Sequence, residues 1–337
     1  MTTHLRARAL AALALAAVAA SGALVSRAGS DTTTTTVAVT TTTSPPVPTA
    51  PLTGRPDPTG LARHRPAVTV KIDNTYDAHP QYGIRQADVV YEEIVEGGIT
   101  RLAAIFNSSA PARVGPVRSV RRTDREIVSP LGGVFVFSGG AAYAIASIQT
   151  APVTLFSQSN AGAMMFRDAH RPAPHNLFAN VAALIHQKGR PVPPRPLFTY
   201  GMNRPAGFVA ARAFTVGFAN GYAVSYAWNA TTGSWDRSIF GVLDRDAAGR
   251  RVSPRNVIVM SVHYRGGAGV EGAEAMLVGS GEARVFTRHG VVTVHWSRPS
   301  IRRPTVYTDR AGKVVALTPG QTWVELLDVS LHVTVVR

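Results

Sequence analysis

The chain has 337 residues, of which 45% are hydrophobic, so it can bury a core in one large or two ordinary domains, and wholesale disorder is excluded. The formal charge is +15, yet only Lys71, Lys188 and Lys313 are lysines. The remaining basic residues are dispersed arginines that form no stripe, which argues against nucleic acid and for anionic envelope partners. With no cysteine, disulfides, thiol catalysis, Cys-ligated metals and a lipid anchor on a mature N-terminal Cys are all ruled out.

Residues 1–28 read as a signal peptide. Arg6 and Arg8 precede an apolar run from Ala9 to Val25, and Ser26-Arg27-Ala28 supplies a small-x-small cleavage pattern. The alternative is an uncleaved anchor, although the run falls short of the roughly 20 residues a span needs. Residues 29–51 carry Thr32 to Thr36, Thr40 to Thr43, Pro45, Pro46 and Pro48, a composition expected to form a disordered spacer. The protein is therefore expected to be extracytoplasmic. It would be secreted or lie on the outer face of the cytoplasmic membrane, touching the bilayer only through an uncleaved N-terminus.

A first unit covers residues 52–195. Strands are predicted at Ala67 to Asp73, Ala87 to Glu93, Arg101 to Phe106 and Val134 to Phe137, from alternation and β-branched content. Glu96-Gly97-Gly98 marks a turn. Helices are predicted at Arg121 to Val128, Ala141 to Ile148 and Leu177 to Lys188, the last with Asn176 as its N-cap. A proline-rich connector from Pro191 to Pro196 separates this unit from a second, residues 205–337. Strands dominate there: Ala213 to Val216, Ala223 to Trp228, Val257 to His263, Ala283 to Thr287, Val291 to Trp296 and Val333 to Val336. The fold class is α+β, an N-terminal mixed α/β sheet domain followed by a mostly β C-terminal domain.

Motifs along the chain resemble one family. Pro51-Leu52-Thr53-Gly54, Val70-Lys71-Ile72-Asp73-Asn74, Ala87-Asp88-Val89-Val90-Tyr91-Glu92 and Val95-Glu96-Gly97-Gly98-Ile99-Thr100-Arg101 are similar to the N-terminal part of the YerB (DUF3048) family of bacterial envelope lipoproteins. Val114-Gly115-Pro116-Val117-Arg118-Ser119, Ser138-Gly139-Gly140 and Ala173-Pro174-His175-Asn176-Leu177 continue the likeness. Trp296-Ser297-Arg298-Pro299, Pro304-Thr305 and Leu317-Thr318-Pro319-Gly320-Gln321-Thr322-Trp323-Val324 extend it into the C-terminal part. The resemblance implies a two-part extracytoplasmic protein and no established reaction. Many members carry a lipobox Cys, which this sequence lacks.

The candidate ligand-binding residues are Asp73, Asn74, Glu92, Glu96, Arg101, Arg118, Arg121, Arg167, His175 and Asn176. Guanidinium forks match carboxylate or phosphate, and loops at strand ends are where sites are built. Blander roles stay open: a hairpin turn at Glu96-Gly97-Gly98, Arg118 paired with Glu92 or Glu96, and a capping arrangement at His175-Asn176. No catalytic residue is assigned. No H-E-x-x-H, P-loop or dinucleotide motif is present, so no metal or cofactor is expected. Trp228, Trp235, Trp296 and Trp323 offer either a sugar-stacking platform or core packing. The leading expectation is a non-catalytic module binding a cell-wall polymer, an anionic wall fragment or an envelope protein. Alternatives are a wall hydrolase using Glu92, Glu96 or Asp73 with His175, and a scaffold for another exported protein.

Overall fold

The computed structural model describes residues 47–186 and 192–337. The predicted signal peptide and most of the Thr-rich spacer lie outside the described residues. The spacer's last residues do not behave as linker: Thr49 bridges Pro56, the Ala50 N–H donates to the Arg55 carbonyl at 2.8 Å, and Ala50 is buried. Composition alone misassigns them because two or three backbone bonds to a neighbouring turn are enough to seat so short a segment.

In the first segment a short helix α1 (Leu61–His64) precedes the strands β1 (Val68–Asp73), β2 (Val89–Ile94) and β3 (Thr100–Phe106). Helix α2 (Arg122–Val128), strand β4 (Val134–Phe137), helix α3 (Ala142–Ile148) and strand β5 (Thr154–Ser157) follow. Strands β6 (Met165–Arg167) and β7 (Leu177–Ala179) pair as a small hairpin, and helix α4 (Val181–Leu184) comes next. This corrects the helix expected over Leu177 to Lys188. Leu177, Phe178 and Ala179 are all buried against a strand partner, and Asn180, not Asn176, caps the helix by accepting the Ala183 N–H at 3.0 Å. Lys188 lies outside the described residues.

The second segment is almost entirely strands. It runs through β8 (Thr199–Tyr200), β9 (Val209–Ala210), β10 (Ala213–Gly217), β11 (Ala223–Asn229), β12 (Ser234–Ile239), β13 (Val242–Leu243) and β14 (Asn256–Val262). Then come β15 (Tyr264–Arg265), β16 (Glu274–Ala275), β17 (Gly279–Thr287), β18 (Gly290–Arg298), β19 (Val306–Thr308), β20 (Ala316–Leu317), β21 (Thr322–Asp328) and β22 (Val333–Val336). The α+β class holds: a mixed sheet in the first segment and mostly antiparallel strands in the second.

One large sheet runs through both segments in the order β19-β18-β17-β14-β21-β2-β3-β1-β4-β5. Its centre is β14, β21 and β2, three parallel strands buried on both faces, as parallel strands generally are. A five-stranded sheet, β13-β12-β11-β10-β22, covers one face, where Phe214 of β10 stacks on Phe286 of β17. Helix α2 lies on the opposite face.

The period-two alternation of strands sorts the polar residues. In the register Asp73–Arg101–Glu93, these side chains and Lys71 point to the α2 face. In the adjacent row Glu92 and Glu325 point to the five-stranded sheet. At the start of β4, Gly133 has φ +79°, and a Cβ there would stand 2.2 Å from the Ala67 carbonyl oxygen. That carbonyl accepts the Val134 N–H that begins the β1–β4 pairing. Gly133→Ala is expected to cost about 2 kcal/mol, read as a lower urea midpoint with an unchanged slope.

Candidate functional site

The carboxyl ends of the parallel strands β1, β4 and β5 gather one polar region, the position where open α/β sheets place ligands. The segment Pro116 to Val120 is laid between two of them. The Arg118 N–H donates to the Lys71 carbonyl, and the Ser138 N–H to that of Arg118. Arg118 is thereby carried to the end of β1.

There Asp73 is fully buried and acts as an anchor for two cationic or potentially cationic groups. Its Oδ2 lies 3.0 Å from Arg118 Nε and 2.8 Å from His175 Nδ1. Its Oδ1 accepts from the Thr75 N–H at 3.2 Å and the Thr75 hydroxyl at 3.1 Å. The two Nη groups of Arg118 and Nε2 of His175 have no protein partner among the described residues. Both side chains are half-buried, so two guanidinium donors and one imidazole nitrogen are held in place by a buried carboxylate and keep no protein partner among the described residues.

Behind them Glu96 joins Arg101 and Arg121. Arg121 Nε donates to Glu96 Oε2 at 2.7 Å, its Nη2 contacts Oε1, and Arg101 Nη2 reaches Oε1 at 3.2 Å. Burial opposes the charge of Glu96, but the Arg121 hydrogen bond and the Arg101 charge outweigh it and hold the carboxyl at about 2. Burial, then repulsion from Arg121, brings Arg101 down to about 10, still charged at neutral pH. Glu93 and Asp124 also act on Arg121 from the same face, so these arginines stand among carboxylates that match them in number.

Beside this region a cleft of about 710 Å³ opens after β4 and β5, with walls including Ser138, Gly139, Gln149, Ser157, Gln158 and Asn160. Arg167 reaches it through Gln158 at 3.0 Å, and its Nη1 donates to Asn176 Oδ1 at 2.5 Å.

The structure brings Asp73, Arg118 and His175 together, and next to them Glu96, Arg101 and Arg121. Arg167 and Asn176 form a separate pair. Asn74 and Glu92 do not join the cluster, because alternation turns them to the other face of the sheet. Glu92 is fully buried and donates nothing to solvent: Arg237 Nη2 holds its Oε2 at 2.7 Å, and Asn74 Nδ2 and the Thr100 hydroxyl hold Oε1. Arg118 pairs with Asp73, not with Glu92 or Glu96, because the Pro116 to Val120 segment runs alongside β1. Trp235, Trp296 and Trp323 are buried and Trp228 stacks on His289, so the four tryptophans form no exposed platform.

The sequence reading missed Arg237, Asp244 and Glu325, the buried partners of Glu92. It also missed the trio of Lys71, Glu93 and Asp124. A lysine inside the apolar strand AVTVKID was the available signal for the second group, since a buried ammonium demands a carboxylate. Nothing in the sequence announced the first, which joins residues far apart in the chain.

Two family models match, covering most of the chain. "Protein of unknown function (DUF3048) N-terminal domain" matches residues 52–190, and "Protein of unknown function (DUF3048) C-terminal domain" matches residues 214–324. The chain belongs to the DUF3048 family. It is similar to YerB of Bacillus subtilis (strain 168), which is named as a candidate lipoprotein: 27% identical over 288 residues, spanning 82% of this chain and 86% of YerB. The crystal structure of the YerB protein from Bacillus subtilis superimposes with a TM-score of 0.73 at 25% identity, covering 85% of this chain and 99% of that one. The DUF3048 halves seen by the two models share one sheet, joined where β21 pairs with β2.

Proposed function

We propose that this DUF3048 protein is a non-catalytic binding protein of the cell envelope that takes an anionic group of a wall polymer, wall fragment or envelope partner on Arg118 and His175. One observation carries the reading: buried Asp73 fixes both side chains while the Arg118 Nη groups keep no protein partner among the described residues. A fork held in this way loses less conformational freedom on binding than a mobile surface arginine. The formal charge of +15 on the chain adds long-range attraction. The envelope location follows the name of the relative YerB and the signal-like N-terminus.

The contact between His175 and Asp73 also favours a second reading, a hydrolase in which Asp73 orients His175 as a base. Glu92 takes no part in it, being enclosed with Arg237.

Cosedimentation of the purified protein with cell-wall sacculi, at low and high salt, separates the two. Screening within about 8 Å at physiological ionic strength removes diffuse attraction but not a desolvated fork. Salt-resistant binding without released fragments is the expected result. Arg118→Gln is expected to weaken binding about tenfold or more, the worth of a charge-assisted hydrogen bond. Fragments detected by mass spectrometry and abolished by His175→Ala would establish the hydrolase. Equal binding by wild type and Arg118→Gln would remove Arg118 from the site.

A further inference from the structure

On the other side of Asn74 the structure builds a second, uncharged cleft. Strands β12 and β13 are joined by Phe240 and Gly241, with φ +54° and +77°, between the paired residues Ile239 and Val242. A two-residue turn of this hand is normally Asn-Gly, and a bulky residue at positive φ is an outlier. Such strain points to a role for the side chain that the turn itself does not need.

The Phe240 ring stands edge-on to three others: Tyr76 with ring centroids 5.5 Å apart and planes at 69°, His79 at 5.5 Å and Tyr222 at 5.6 Å. Tyr76 is 72% exposed, an unusual degree for so large a ring. Beside Phe240 a cleft of about 460 Å³ is lined by Gly97, Gly98, Ile99, Asn220 and Tyr222 among others, and no charged side chain lines it. A Cβ placed at Gly97, Gly221 or Gly241 would meet nothing within 4 Å, so the floor is bare backbone beneath open space. Asn220, itself at φ +55°, donates Nδ2 to the Gly97 carbonyl at 3.0 Å, and its Oδ1 has no protein partner among the described residues.

We infer that this cleft is a subsite for a pyranose ring of a neutral glycan. A gluco-configured ring presents a flat face of C–H bonds, which suits the aromatic wall. Its rim of hydroxyls suits bare backbone and a free amide oxygen. The lack of charge in the lining excludes an anionic group here. A proline-rich peptide needs parallel aromatic ridges to track its helix, whereas Phe240 and Tyr222, the two rings that line the cleft, meet at 89°. The subsite stands apart from the anion-binding reading, because Asp73, Arg118 and His175 contribute nothing to it.

The test is calorimetry and saturation-transfer NMR of the purified protein with cellooligosaccharides, chitooligosaccharides and a polyproline peptide. Binding of one of the two sugar series is expected. Asn220→Gly suits the φ of +55° and removes the amide that lines the cleft, so it is expected to keep the melting temperature and weaken sugar binding about tenfold, the range of a lost hydrogen bond. Phe240→Asn supplies the residue the turn prefers and is expected to fold and to lose the sugar. Absence of saturation transfer from both series overturns the proposal, as does unchanged binding in both variants or binding of the peptide alone. Arg118→Gln is expected to leave oligosaccharide binding intact, so failure of the anion site and failure of this one are told apart.

Discussion

Replacing Arg237 by Met is expected to destabilise the protein by about 3–5 kcal/mol, the largest effect of any substitution considered, because it strands buried carboxylates. Arg237 is fully buried on β12. Its Nη2 holds Glu92, its Nη1 holds Asp244, and the guanidinium lies 4.7 Å from the ring centroid of Trp323. Glu325 shares the same enclosure, with the Tyr226 hydroxyl donating to its Oε1. Burial, and next the charge of Glu92, pushes the Glu325 carboxyl well above the usual range. Without the guanidinium, Glu92 would keep only the neutral donors of Asn74 and Thr100, and Asp244 only His79 at 3.5 Å.

Arg237→Lys is expected to recover only part of the loss, since a single ammonium does not span two carboxylates as a fork does. Adding Glu92→Gln and Asp244→Asn to Arg237→Met should restore stability toward wild type. Urea unfolding of the four proteins measures this. A cost under about 1 kcal/mol for Arg237→Met would mean that water reaches the network and that the burial has little energetic weight.

Lys71→Met is expected to cost roughly 3 kcal/mol at neutral pH and distinctly less near pH 4. Lys71 is enclosed on the α2 face, where its Nζ contacts Glu93 and lies 2.9 Å from Asp124 Oδ1. Burial raises the Asp124 carboxyl to about 6, the Lys71 charge opposing that rise and Glu93 adding to it. A folded value above the unfolded one, about 3.9, means that the contribution of Asp124 is fully present below about pH 4. It is lost as pH rises toward 6. Removing Lys71 takes away the charge that opposes the rise of Asp124, so the penalty grows with pH over the same window.

Asp124→Asn reports the same sign from the other direction. Relative to wild type it is expected to gain stability between about pH 4 and 6 and then to level off. Asn keeps an acceptor for the Arg121 N–H, which donates to Asp124 Oδ2 at 2.6 Å at the start of α2. Denaturation curves at several pH values check both variants. A pH-independent cost for Lys71→Met would show that the trio does not titrate as a unit. In the opposite sense, Glu96 is held at about 2, so its share of stability is present above about pH 4.3 and lost as pH falls toward 2.

The sequence by itself determined the local elements. AVTVKID, ADVVYEE, RLAAIF and VFVF became β1 to β4 because alternation and β-branching act over a few residues and need no distant partner. Helices α2 and α3 followed from the same local logic, and the family motifs located both DUF3048 halves. The likeness also pointed to the stretches that build the site, among them Asp73, Arg118 and His175. Only the tertiary structure decided which of these side chains meet. Leu177 to Ala179 became a strand because β6 was there to receive its hydrogen bonds. A shift of one residue along a strand reverses the face, so Asp73 met Arg118 while Asn74, its neighbour, met Tyr222. Glu92 and Asp244 were joined by Arg237, 145 residues beyond Glu92 in the chain, through the stacking of two sheets. Such pairings are set by sheet order and packing, which depend on the whole chain at once and leave no mark in any short stretch of it.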